Sequence, residues 1–339
     1  MTIRSLPIVL LVLALPATAC TAPTGQAASS FGRPPSAAPS QASPSSSQPQ
    51  GVVSVAEAEA VLEQWEAAET EAQRQGGTDW TAAETGLAAT MSKAESRARE
   101  MIGERVTTPR RAIVKPRFAI PGKVAGAPWF MAEFRRKGGT SWSQAIFKKT
   151  QDGWRMTVMS ITSAKSRPPA VARDDKGLAT AVAPDDGDGL IASPREIARA
   201  HARLQATFGQ DRDARRLFTA KSAARLDADV RLDEREHLGD EWNITVRSRP
   251  ATDIYALRTT NGGALVWYGI QQQNTMVARP GATATMKFTN RVPAALSHGR
   301  SYTRKAVLKT AGIYLAVVPR SGPVRMPGEW FISLSVSGS

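Results

Sequence analysis

Apolar residues along this chain recur first at helical and then at strand spacing, and that pattern begins a second time in the other half. Ala58, Val61, Leu62, Trp65, Ala68 and Ala72 stand three or four apart, with Glu59, Glu63, Glu66 and Glu69 largely off that stripe. This spacing predicts an amphipathic helix. Ser54-Val55-Ala56-Glu57 has the form of a capping box, in which serine and glutamate each satisfy a free backbone amide, and Gln75-Gly76-Gly77 ends the segment. A second helix is predicted from about Thr78 to Ile102, with Trp80, Leu87, Met91, Ala98 and Met101 on one face. After Pro109 the pattern shifts to short runs rich in β-branched and aromatic residues: 112–120, 128–136, 142–149 and 154–163. These predict strands, with Lys137-Gly138-Gly139-Thr140 and Thr150-Gln151-Asp152-Gly153 as turns.

Residues 166–189 are rich in Pro, Asp and Gly and predict a connection between domains. The helical pattern then returns with a second capping box, Ser193-Pro194-Arg195-Glu196, and an apolar stripe of Ile197, Ala200, His201, Leu204 and Phe208. A mixed-charge helical segment follows from Asp211 to His237. Strands are predicted at 242–249, 253–260, 264–271, 283–290, 302–309, 313–318 and 330–336. The fold class is therefore α+β, in two units of N-terminal helices packed on a curved antiparallel sheet. The predicted division is a leader over 1–19, a linker over 20–52, domains over 53–165 and 193–339, and an interdomain linker over 166–192. Two short echoes, Gly138-Gly139 with Gly262-Gly263 and Ala145-Ile146-Phe147-Lys148 with Ala306-Val307-Leu308-Lys309, support a duplicated fold.

The N-terminal stretch has a different build. Arg4 precedes an apolar run from Leu6 that closes on Ala17-Thr18-Ala19-Cys20, too short to span a bilayer and shaped like a secretory signal. It resembles the signal peptide and lipobox of a bacterial lipoprotein, although Ala17 stands where leucine is commonest in that family. The resemblance implies cleavage before Cys20, a diacylglyceryl group on its sulfur, and attachment at the extracytoplasmic face of the cell membrane. The alternative is an ordinary secreted protein cut at the same place. Residues 21–50 are nearly all Ala, Ser, Pro, Gln, Thr and Gly, a composition that cannot repay ordering. Such a tether averages roughly 30 Å end to end and reaches about 100 Å when stretched.

Charge and cysteine count narrow the partners. Cys20 is the sole cysteine of the 339 residues, so no intrachain disulfide forms despite an oxidising address. The formal net charge of +14 favours anionic lipid, anionic envelope polymers or another exported protein through attraction that salt screens. Nucleic acid is not expected, because no zinc-finger spacing, RNP-type motif or helix-turn-helix signature is present.

Chemistry is sparse in this sequence. His201, His237 and His298 are far apart and show no metal-ligand spacing, and no nucleophile elbow, phosphate loop or dinucleotide fingerprint occurs. No catalytic residue, metal site or cofactor is predicted. Asp185 to Glu196 has the length of a calcium loop but carries Gly187, Gly189 and Leu190 where oxygen ligands and the turn glycine belong. The carboxylates Asp233, Glu234, Glu236, Asp240 and Glu241 alternate with Arg231 and Arg235 as a salt-bridged surface does. His201, on an apolar stripe, is the one candidate pocket residue.

The segments Ser54 to Ala72, Pro128-Trp129-Phe130, Gly153-Trp154-Arg155 and Tyr255-Ala256-Leu257-Arg258 through Gly262-Gly263-Ala264-Leu265 resemble a family of secreted actinobacterial proteins of unknown function. The two units are also similar to the NTF2/cystatin-like roll, a fold that hosts binders and enzymes. The expected function is a non-catalytic binding or interaction module in the envelope. The alternative is an NTF2-like hydrolase or isomerase with a site in one cone.

Overall fold

The computed structural model describes residues 51–104 and 111–339, and these belong to one compact unit. Its first helices are α1 (Val55–Arg74) and α2 (Gly86–Met101). Ser54 caps α1 by accepting from the Glu57 amide at 3.1 Å. The second helix starts later than its apolar spacing predicts. Residues 80–85 instead run beside a strand, where the Met156 amide donates to Ala83 and the Thr85 amide donates to Met156.

Four strands follow: β1 (Ile113–Ala119), β2 (Trp129–Arg136), β3 (Trp142–Thr150) and β4 (Gly153–Thr162). Helices α3 (Pro194–Ala206), α4 (Arg212–Leu217) and α5 (Ala223–Leu238) precede β5 (Trp242–Arg258) and β6 (Ala264–Ala278). The chain ends with short β7 (Met286–Lys287), α6 (Arg291–Leu296), short β8 (Ser301–Tyr302), β9 (Lys305–Val318) and β10 (Arg325–Gly338).

This is a mixed α+β fold on one large antiparallel sheet, ordered β1-β2-β3-β4-β10-β9-β6-β5. The expectation of two rolls, each on its own sheet, is corrected by a seam. Thr162 and Ile161 of β4 pair with Gly328 and Glu329 of β10, so the two half-sheets are continuous. Residues from both halves also share one apolar core: Trp65, Phe130 and Met156 belong to it with Leu257, Trp267 and Leu315.

Residues 166–192 do not hang free as a linker. The Ala179 amide donates to Ile120 just beyond β1, while the Val182 amide donates to Ala256 on β5, both at 2.9 Å. One short stretch thus bonds to the two opposite edges of the sheet, which curls so that those edges meet it. Edge strands present unpaired backbone groups, and satisfying them is a reason for the stretch to stay.

The sheet's second half is covered on both faces. Along β6, Leu265 and Trp267 enter the shared core, whereas Val266, Tyr268 and Ile270 pack with Ile197, Leu204 and Phe218 in a second core beneath α3. Burial on both faces explains why these strands read as continuous apolar runs. Two apparent breaks are absorbed inside long strands. The glycine between the predicted 302–309 and 313–318 segments lies mid-strand in β9, where a Cβ on Gly312 would come within 2.5 Å of the Tyr314 hydroxyl. Pro250, between the segments predicted at 242–249 and 253–260, marks a bulge within β5.

Candidate functional site

That bulge borders a cleft. From Pro250 to Ile254 the β5 strand takes four steps while β6 takes two, from Ile270 to Tyr268. Extra residues in one strand of a pair bend it and re-aim its side chains. Gly269 lies opposite the bulge, and a Cβ there would stand 2.3 Å from Leu87 Cδ2 and 3.1 Å from Ala251 Cβ. A side chain at position 269 would have to displace the Leu87 tip and press on Ala251, so glycine suits this close approach of α2 and the bulge.

The bulge turns Asp253 toward the first half of the sheet. Lys148 Nζ on β3 lies 3.3 Å from Asp253 Oδ1, and Thr157 Oγ1 on β4 donates to Asp253 Oδ2 at 3.2 Å. The charged side chains remain about a third exposed, 31% for Lys148 and 33% for Asp253. Beside them Trp129 of β2 meets Tyr255 of β5 edge to face, with ring centroids 5.1 Å apart. Trp129 can do this because side chains alternate along a strand: its neighbour Phe130 points the other way and stacks on Phe147 at 5.2 Å.

Around this group opens a cleft of about 740 Å³, walled by residues 122–127, by 179–184 and by Thr252 to Tyr255. Its volume lies in the range of small-molecule sites. Four charged residues line it, Lys123 and Lys148 against Asp174 and Asp253, so its formal charge is balanced. Tyr255 is 6% exposed. Its hydroxyl is close enough to Asp253 and Thr157 to feel both, yet makes no hydrogen bond of normal geometry. Burial, and after it the Asp253 charge, push its phenol well above the usual range, so the hydroxyl keeps its proton.

His201 does not line this cleft. It sits at 0% exposure among the rings of Phe218, Tyr268 and Tyr314. The Gln205 amide nitrogen, 3.4 Å from His201 Nε2, can only donate, which leaves the imidazole proton on Nδ1, 3.1 Å from the Tyr268 hydroxyl. Burial pushes the imidazole down to about 3, so it is neutral at ordinary pH. Cys20 and the leader and tether around it lie outside the described residues.

The other acidic runs are engaged by arginines. Asp185 accepts from Arg195 at 2.6 Å, and Glu234 from Arg231 at 2.9 Å. Among the described residues no cluster of His, Cys, Asp and Glu could hold a metal ion, and no helix is long and apolar enough to cross a membrane.

Sequence reasoning missed Lys148, Thr157, Asp253 and Tyr255. They come from three strands and meet only through long-range pairing. The local signal was the interruption at Pro250, which reads as a strand end as easily as a bulge.

A family model described as Domain of unknown function (DUF8094) matches residues 49–331. The chain is 30% identical over 168 residues to the uncharacterised lipoprotein SCO6871 of Streptomyces coelicolor, a match that covers 48% of this chain and 47% of that protein. The match thus spans about half of the curated relative. No solved structure matches the chain.

Proposed function

The chain belongs to the DUF8094 family, and we propose that it is a lipoprotein held at the extracytoplasmic face of a bacterial membrane through Cys20, where it serves as a non-catalytic binding module. The name of the Streptomyces relative and the lipobox-like Ala17-Thr18-Ala19-Cys20 support the address. The observation that carries the binding role is the cleft where Lys148 and Asp253 meet. Its walls are supplied by both halves of the sheet, so the folding that joins the halves also completes the site. Balanced charge in the cleft separates two modes of association. The cationic surplus of the chain acts at the general surface, toward anionic envelope polymers or another exported protein, while the cleft takes a ligand by shape and hydrogen bonding.

The test is copurification from detergent-solubilised membranes with wild type and with Ala183→Trp, which fills the cleft from an exposed position. The expected result is loss of specific partners from the variant at both low and high salt. Retention of every partner by the variant would overturn the cleft as the binding surface.

A further inference from the structure

Resting on the cleft as the binding surface, we propose that its ligand is a neutral, hydroxyl-rich molecule of roughly one to three sugar rings, a size suited to a cavity of about 740 Å³.

The lining decides the ligand's charge. A carboxylate or phosphate group would approach Lys148 only by also approaching Asp253, 3.3 Å from it, and an ammonium group would meet the reverse. Neither sign gains on entering, since the two cations and two anions of the lining offset each other. A charged ligand would give up its hydration for no net attraction.

The hydrogen-bonding groups decide its chemistry. Asp253 uses one oxygen toward Lys148 and the other toward Thr157, and a carboxylate has about four acceptor positions, so it can take more donors. Lys148 has donors beyond the one aimed at Asp253. The Tyr255 ring lines the cleft while its hydroxyl is buried toward Asp253 and Thr157, so Asp253 as acceptor and Lys148 as donor are the groups a ligand meets side by side. Donors and acceptors side by side are what a hydroxyl satisfies, because each hydroxyl is both. A row of vicinal hydroxyls satisfies several at once. Ile254 and Val124 supply apolar wall for the C–H faces of a sugar ring.

Calorimetric titration of the full chain in detergent tests this, with a panel of neutral trisaccharides built of gluco-, manno-, galacto-, arabino- and N-acetylglucosamine units, against trialanine and inorganic polyphosphate. The expected result is saturable binding of at least one trisaccharide, unchanged by salt and about tenfold weaker in Asp253→Ala, which removes one charged acceptor from the lining. Near-ultraviolet dichroism of the variant confirms that it is folded. Binding of trialanine with the same dependence on Asp253 would overturn the ligand class and leave the cleft as the site. Salt-sensitive binding of polyphosphate alone, not weakened by Asp253→Ala, would also overturn it. If no probe binds, the sugar assignment fails, and the Ala183→Trp copurification separately shows whether the cleft binds another class.

Discussion

Glu69 on α1 and Arg136 on β2 stand 2.6 Å apart across the helix–sheet contact, with the Glu69 side chain only 2% exposed. Arg136 also reaches Glu66 at 2.5 Å and lies over the Trp65 ring, 5.5 Å from its centroid. One guanidinium therefore ties two turns of α1 to the sheet. Taking one partner from a buried ion pair costs about 3–5 kcal/mol. Arg136→Ala should lower stability by that order in urea denaturation. Arg136→Lys should recover only part of it, because a single ammonium cannot reproduce the two-pronged contact.

Acid stability should depend on two groups that act in opposite directions. His201 takes a proton below about pH 6.5 when unfolded, but only near 3 in the fold. Its contribution is whole above pH 6.5 and is lost as pH falls, by about 1.4 kcal/mol per unit. Asp227 on α5 behaves conversely. Burial first, and the Glu329 charge second, push it up to about 7 despite the nearby Arg231, so its contribution is whole below the ordinary carboxylate range and is lost as pH rises toward 7. Glu329 is raised as well, but its side chain is open to solvent, so its share is smaller. Between about pH 4 and 6.5 the two slopes offset each other. Denaturation midpoints of wild type should be nearly flat there. Asp227→Asn should make stability fall on acidification, and His201→Gln should make it rise. Parallel profiles for all three proteins would refute the assignment.

Limited proteolysis should leave 166–192 intact under conditions that cleave unfolded chain, because the stretch is bonded to both sheet edges. Early cutting there, giving two stable fragments, would restore the picture of two separable domains.

Cys20→Ala should release the protein from membranes or block its processing. Each methylene of a lipid chain contributes about 0.8 kcal/mol, and two chains suffice for stable attachment. Mass spectrometry of wild-type protein from cells provides the check: a mature form with an unmodified Cys20 thiol contradicts the anchor.

What could be read in the sequence was mostly local. The spacing of Ala58 to Ala72 and the Ser54 cap located α1, and the runs at 128–136, 142–149 and 154–163 located β2, β3 and β4 to within a residue or two. Partnership between distant segments was not legible. Nothing near Thr162 states that it pairs with Gly328, and nothing near Lys148 states that it meets Asp253. Glycine and proline misled in proportion to their versatility. Gly312 and Pro250 fall in gaps between predicted strands, yet one makes room for an aromatic ring within β9 and the other begins a bulge within β5. His201 lies on an apolar helical stripe as its spacing predicts, with Gln205 one turn along the same helix, but Tyr268, Tyr314 and Phe218 come from elements whose approach no periodicity encodes.

The seam between β4 and β10 also bears on how the chain acquires its structure. β10 is made long after β4, so β4 must wait for all the intervening helices and strands before its free edge finds its partner. Pairings between such distant segments incur loop-closure entropy before any contact offsets it, which places this protein among the slow folders. Until then the apolar side chains of β1 to β4 that belong to the shared core stand open, a period in which a chaperone or a neighbouring copy of the nascent chain can occupy them.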